Sequence, residues 1–432
     1  MSAENRDKLN LLEAIGIAIG GMVGGGIFVV LGEAVIVAGN ATFLSLGLGG
    51  LLALITGVNY SKLTAEYHEP GGEFTFIEHI AGIRFAGTVS WLLIFGYVFA
   101  ISLYAYIFGA YAGRLLGLGS APNNWLAGGI LIASTFFLST GLRQDKATVH
   151  YITVAKFLIL ASLILIGFFT VDPEKALPIV DHRFNNVIFG AALVFVGYEG
   201  FQLIIYQFDR IENYQKNLRR ALFLSILIVT CVYVLIAFVL TGSLSKETII
   251  HHKETVLAML AKPLFGNFGI SAILTAVIFS TSTAVTSTLS AVSDLAVRIS
   301  DDGQLPHQLT DYRAGDNPLI FTALIACSGL VIVSTGTLRE ITAFSSLLFL
   351  FIFSVVNYMG FVHRVHSGWK RFIPLIGSIA CFAAMSILIY DIYLTDQSFF
   401  YIILSITALI LLLRLSFTLF HTKYKGRDDT EP

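Results

Sequence analysis

Gly20-Gly21-Met22-Val23-Gly24-Gly25-Gly26 and Phe195-Val196-Gly197-Tyr198-Glu199-Gly200-Phe201 interrupt two apolar segments, Ile15–Gly39 and Val187–Phe208, in mid-span. Five glycines among seven residues oppose an unbroken helix, because each costs about 1 kcal/mol relative to alanine. If these segments lie in a bilayer, backbone unwound at that depth must be surrounded by protein or line a water-filled cavity. The two interruptions therefore predict special local structure.

The rest of the chain supplies the bilayer. Its 432 residues are 56% hydrophobic and only 13% charged, with mean hydropathy +0.78, where a soluble domain carries about 25% charged residues. This is the composition of an integral membrane protein. Runs near the roughly 20 residues that span hydrocarbon recur at Leu11–Val37, Ala41–Ala65, Phe85–Leu118, Trp125–Leu142, Val149–Val171, Val187–Phe208, Ala221–Gly242, Phe268–Ile299, Leu319–Ser334, Ile341–His363, Ile373–Tyr393 and Phe399–Phe420. Twelve helical spans are expected, and no sustained alternation favours a barrel. With the N-terminus inside, nineteen of the 27 Lys and Arg fall on the inner side and seven outside, leaving Lys156 within a span. That bias places both termini in the cytoplasm. Met1–Asn10 is polar and the first apolar run is too long for a signal core, so no cleaved leader is expected. Cys231, Cys327 and Cys381 fall in spans at no metal-ligand spacing, and no nucleotide loop or nucleophile elbow is visible. Neither metal, cofactor nor nucleic acid is expected as a partner, and an enzyme is disfavoured. The long polar stretches Asp172–Asn186 and Ser243–Gly266 read as loops.

Paired interruptions in corresponding halves of a membrane chain point to a transporter's binding site. Gly20–Phe28 resembles the first-helix motif of the amino acid–polyamine–organocation (APC) superfamily, G-S-x-x-G-S-G-I-F. Pro70-Gly71-Gly72-Glu73-Phe74 is similar to the family's turn in the first inner loop. Tyr198-Glu199-Gly200-Phe201, followed by Glu212-Asn213 and Arg219-Arg220-Ala221, resembles its broken sixth helix and the basic loop beyond. Asp302-Gly303-Gln304-Leu305-Pro306 resembles the close of its eighth helix. The resemblance covers roughly residues 10–365. It implies an all-α, LeuT-like fold: inverted repeats of five helices over residues 11–171 and 187–363, then two peripheral helices over 373–420. Residues 1–10 and 421–432 would be cytoplasmic tails. A small-molecule substrate would lie near the midplane between broken helices 1 and 6.

The physics agrees. Amides of Gly24, Gly25 and Gly26, at the start of the outer half of helix 1, lack intrahelical acceptors and sit at a positive dipole end that suits a carboxylate. Carbonyls from Gly20 through Met22 to Val23, and from Phe195 through Gly197 to Tyr198 beside Gly200, suit an ammonium group. The competing reading is close helix packing, since Gly20-x-x-x-Gly24 and Gly21-x-x-x-Gly25 fit the small-residue pattern.

Lys156 lies about two turns inside helix 5. It either snorkels to the interface or marks an ion path, because charge at this depth is expensive. In sodium-coupled relatives a cation sits between helices 1, 5 and 8; the resemblance implies that the Lys156 ammonium replaces it, near helix 1 and Thr283. Glu199 has three readings: recognition of a cationic substrate, proton carriage, or capping of the amides that follow it. Phe195 and Tyr198 are expected to form an aromatic lid, with core packing as the rival. Tyr97, Ser102 and Tyr104 on helix 3 and Thr281 and Thr283 on helix 8 are further polar candidates. Glu13 and Glu33 flank the two ends of helix 1 and read as solvated helix ends, with gate-like ion pairs as the rival. The function expected is secondary active amino acid transport by alternating access, coupled to protons or exchange. Open alternatives are a polyamine or organic cation carrier and a non-transporting amino acid sensor on the same fold. Oligomeric state is not legible.

Overall fold

A computed structural model of the chain describes residues 8–24, 26–69, 71–118, 123–141, 146–180, 183–314 and 317–428, with the backbone alone at 29, 146–150 and 420–428. The first span is two helices. α1 (Leu11–Met22) opens on a capping box in which Asn10 accepts from the Leu12 and Glu13 amides and the Glu13 carboxylate answers the Asn10 amide. The helix stops at Val23, with φ −83° and ψ 7°. α2 (Gly26–Ala38) then completes the crossing. Gly25, expected at the break, lies outside the described residues.

α3 (Thr42–Tyr67) ends on His68 in the left-handed region. Gly71 and Gly72 follow with φ of 117° and 52°, values that favour glycine; Pro70 of the same motif lies outside the described residues. The turn launches α4 (Glu73–Ala81), whose first residues, Glu73, Phe74 and Thr75, are buried. α5 (Ile83–Leu115), α6 (Asn124–Ser139), α7 (Lys146–Gly167) and the single turn α8 (Pro173–Ala176) complete the first half.

The sixth span is broken too. α9 (Phe184–Leu193) tightens into a 3₁₀ turn over Val194–Tyr198, Glu199 becomes extended, and Gly200 turns the chain at φ 109°. A second 3₁₀ segment, Phe201–Arg210, carries it inward. Then come α10 (Tyr214–Ser243), the short α11 (Lys246–His251) and α12 (Val256–Asp301). α12 bends at Gly266 (φ 60°, ψ −150°) just past Pro263, so its spanning part begins there. The D-G-x-L-P sequence closes it, with Gly303 at φ 67°. A two-residue ribbon, Arg313–Ala314 against Asn317–Pro318, leads into α13 (Leu319–Thr335), α14 (Leu338–Val362), α15 (Phe372–Thr395) and α16 (Gln397–Asp428).

Among the described residues, ten stretches are long and apolar enough to cross a membrane, and α6 and α13 are shorter apolar helices. The protein is a multi-pass, all-α membrane protein of LeuT-like fold. α3 packs on α10 and α5 on α12. α1 lies against the segment Phe201–Arg210, and α2 against α9 and Val194–Tyr198. The half of helix 1 that carries the N-terminus thus meets the second half of helix 6, and α2 meets the first. Backbone bonds reinforce the former pair: the Leu9 amide donates to Arg210 O at 2.7 Å and the Glu212 amide to Leu9 O at 2.9 Å.

The outer end of helix 1 differs from the solvated end expected at Glu33. Its carboxylate is buried and receives the Lys253 ammonium at 2.8 Å. At the inner end of α12, Arg298 gathers Asp302 at 3.1 Å, Glu78 at 3.8 Å and Glu69 at 3.9 Å.

Candidate functional site

The two breaks touch. A Cβ on Gly21 or on Gly200 would run into the other residue's backbone, and a Cβ on Gly26 would lie 2.7 Å from Gly197 Cα. Glycine is needed here because two backbones share the volume one side chain would fill. Met22, Val23, Gly24, Gly26, Phe195, Gly197, Tyr198, Glu199 and Gly200 are all buried, while Gly20 is half-buried with only Thr153 Oγ1 facing its missing Cβ, at 3.1 Å.

Unwinding strips carbonyls of their helical partners, and two hydroxyls from neighbouring helices answer them. Tyr233 Oη on α10 shares its one hydrogen between Met22 O at 2.9 Å and Gly197 O at 3.1 Å, so one phenol bridges both breaks. Ser280 Oγ on α12 lies 3.0 Å from Val23 O and also reaches Gly24 O. The sequence reading missed both. Its choices on helix 8, Thr281 and Thr283, bond back to their own helix, at Val277 O and Ser280 O respectively. Hydroxyl-rich helices commonly do this, and only the helix's rotational phase, invisible in composition, singles out Ser280. On the amide side, Gly24 N bonds to Gly21 O at 3.2 Å. The first amides of α2 have no residues four positions back in the same helix to accept from them.

Glu199 sits in a polar knot. Tyr104 Oη donates to its Oε2 at 2.6 Å, and Gln202 Nε2 to its Oε1 at 3.3 Å. The Gly200 amide, first of the inner half-helix, is capped by Gln202 Oε1 at 3.0 Å; the capping role considered for Glu199 is filled by Gln202. Tyr97 also joins the knot, accepting from Gln202 Nε2 at 3.3 Å. Ser102 does not: its hydroxyl bonds to Val98 O and faces Gly329 O on α13.

The expected aromatic lid divides. Phe195 packs edge-on against Phe353 of α14 at 5.6 Å, and Ser346 anchors its turn by accepting from Val196 N and donating to Leu193 O. Tyr198 donates to Leu46 O on α3 at 2.6 Å and packs its ring on Tyr233 at 5.3 Å. Lys156 is buried on α7, a helix that packs against both α1 and α12. Among the described residues none gives its ammonium a hydrogen bond or an ion-pair partner. Thr153, one turn earlier on the same face, is the side chain opposite Gly20.

The chain matches the amino acid permease family over residues 9–423. It is 30% identical to an uncharacterised protein of Methanocaldococcus jannaschii, with 93% of each chain covered. A serine/threonine exchanger of Bacillus subtilis is 25% identical over 80% of this chain and 81% of its own. A branched-chain amino acid permease of the same organism is 27% identical over 52% of each. The chain belongs to the amino acid permease family.

Proposed function

We propose that this protein is a secondary active amino acid transporter of the cell membrane, with both termini cytoplasmic, that works by alternating access and is coupled to protons or exchange rather than sodium. The observation that carries the proposal is the face-to-face contact of two unwound, buried stretches of backbone. An amino acid presents a carboxylate to the opening amides of α2 and an ammonium to the carbonyls of Met22, Val23, Gly24 and Gly197. Each carbonyl has two lone pairs, so a hydroxyl already bound leaves room for a second donor. Gly21 and Gly26 supply the close approach to Gly200 and Gly197, and Phe195 and Glu199 border the same volume. Repeats 11–171 and 187–363 would move against each other around it.

Both Glu199 oxygens are engaged by Tyr104 and Gln202, which favours an amino acid over an organic cation as the substrate. Relatives named for serine, threonine and branched-chain amino acids make small neutral amino acids the first probes. The decisive experiment is uptake of labelled serine, threonine and leucine into proteoliposomes, with and without a proton gradient, in sodium-free buffer. Accumulation supports the proposal. Binding without accumulation makes the protein a sensor, and uptake of polyamines alone makes it a cation carrier.

Lys156 stands in for a coupling cation in this reading. Buried charge at such depth is costly and functional by default, and α7 brings it between α1 and α12. Lys156→Met is expected to lower proton-driven uptake at least about tenfold, the loss of about 1.4 kcal/mol of coupling. Unchanged pH dependence and unchanged indifference to sodium would remove Lys156 from the mechanism.

A further inference from the structure

Glu73 is a buried carboxylate that the proposed mechanism does not use. It opens α4 on the cytoplasmic side and is 1% exposed. Tyr60 Oη of α3 donates to its Oε1 at 2.9 Å, and Tyr206 Oη, of the inner half of helix 6, to its Oε2 at 2.7 Å. Around it α5 offers Tyr97, while Arg298 of α12 turns to Glu69, Glu78 and Asp302. On α4 itself His79 meets Glu69 and Glu78 meets Arg298. α14 brings the exposed Tyr358 and, at its C-cap, His363, which meets Glu66 and Tyr67. Among the described residues no cation pairs with Glu73.

The bonds beyond Tyr206 have a fixed direction. A phenol has one hydrogen, and Tyr206 donates its own to Glu73. Tyr97 Oη, 3.0 Å away, must then donate to Tyr206. Gln202 Nε2 in turn donates to Tyr97, and the same nitrogen serves Glu199 while Gln202 Oε1 caps Gly200. All the hydrogens point from the helix 6 break toward Glu73.

We propose that Glu73 is a second proton-binding site of the transport cycle, loaded from the cytoplasmic side and read at the helix 6 break through Tyr206, Tyr97 and Gln202. A proton on Oε2 makes Glu73 a donor, so Tyr206 must accept from it and pass its own hydrogen to Tyr97. Tyr97 then needs an acceptor, and Gln202, its partner at 3.3 Å, offers its oxygen there if the amide turns. Turning that amide releases the Gly200 amide and removes the Nε2 donor from Glu199. The proton itself stays on Glu73, because an amide does not relay it; what travels is hydrogen-bond polarity.

Burial raises the Glu73 carboxyl above its ordinary range, and the hydrogen bonds from Tyr206 and Tyr60 only partly offset this. Glu73 therefore holds its proton to a higher pH than a solvated glutamate does. The reversed chain belongs to an acidic cytoplasmic face, and the chain returns to the direction seen here as pH rises through the raised value.

This inference rests on the transporter reading for one arm of its test only. In the first arm, infrared difference spectra of the full-length protein in lipid are recorded between about pH 5 and about pH 8. A protonated-carboxyl band is expected to titrate in wild type and vanish in Glu73→Gln. In Tyr97→Phe, which keeps the ring and loses only the hydroxyl, that band is expected to remain while the accompanying amide change of Gln202 is lost. In the second arm, uptake of labelled serine and leucine is followed against cytoplasmic-side pH. A wild-type change of about tenfold is expected to shrink to within about twofold in Glu73→Gln, Tyr206→Phe and Tyr97→Phe. A Glu73→Gln spectrum that keeps the band overturns the proposal even if nothing is transported. So do Tyr97→Phe and Tyr206→Phe proteins with the wild-type amide change and pH profile.

Discussion

The two breaks do the same geometric job with opposite chemistry. Helix 1 comes apart on glycines and borrows its hydrogen bonds from outside, from Ser280 on α12 and Tyr233 on α10. Helix 6 comes apart at Glu199 and Gly200 and caps itself, with Gln202 closing over the Gly200 amide. The first break bares backbone to whatever enters; the second carries a carboxylate whose oxygens are already held. In the proposed mechanism, backbone recognition of a zwitterion therefore falls chiefly to helix 1, and the response to protonation falls to the polar knot of helix 6. Their common element is the contact of Gly21 with Gly200, reinforced by the one phenol that spans both.

That contact gives the largest expected effect. Gly200→Ala places a Cβ in the backbone of Gly21 at a φ of 109°, which side chains rarely adopt. A loss of more than about 3 kcal/mol is expected, seen as a lowered melting temperature and abolished uptake. Wild-type melting and transport in Gly200→Ala would show that the breaks do not meet.

The hydroxyls rank next. Tyr233→Phe removes a donor to both breaks and is expected to cost about 2 kcal/mol, whereas Ser280→Ala, which touches helix 1 alone, is expected to cost about 1 kcal/mol. Thermal melts of the two variants check the order. If Ser280→Ala is the more damaging, helix 1 does not share its support with helix 6. Gly20→Ala comes last, since its Cβ meets a side-chain hydroxyl, Thr153 Oγ1 at 3.1 Å, instead of backbone. Under about 0.5 kcal/mol and near-normal uptake are expected. A severe Gly20→Ala phenotype would mean that the first break uses its inner glycines as tightly as its central ones.

Much of this architecture is legible before folding. Glycine has local consequences, so the positions of both breaks, the positive φ at Gly71 and Gly72 and the closing turn at Gly303 follow from residue type. Hydropathy marks the spans, although α6 and α13, at 16 and 17 residues, fall short of the roughly 20 that span hydrocarbon. Lys156 stands out because a lone charge in an apolar run has few explanations. What escapes is rotational phase and long-range pairing. Ser280, Thr281 and Thr283 are equivalent in sequence, and only the turn of α12 aims Ser280 at helix 1. Tyr198 is as aromatic as Phe195 but gives its hydroxyl to α3. Tyr97 and Tyr104 were legible as polar residues of helix 3, whereas their partners Gln202, Tyr206 and Glu73 lie in other elements and carry no local mark of the association. Glu33 misled for the same reason: nothing near it in sequence announces Lys253.

The most direct test is the location of a bound amino acid in an experimental density map of the protein saturated with whichever of serine, threonine or leucine raises its melting temperature most. The carboxylate is expected at the amides of Gly26 to Phe28, with the ammonium among the carbonyls of Met22 to Gly24 and Gly197. Density for the amino acid elsewhere, with helices 1 and 6 continuous through the centre, would contradict the account.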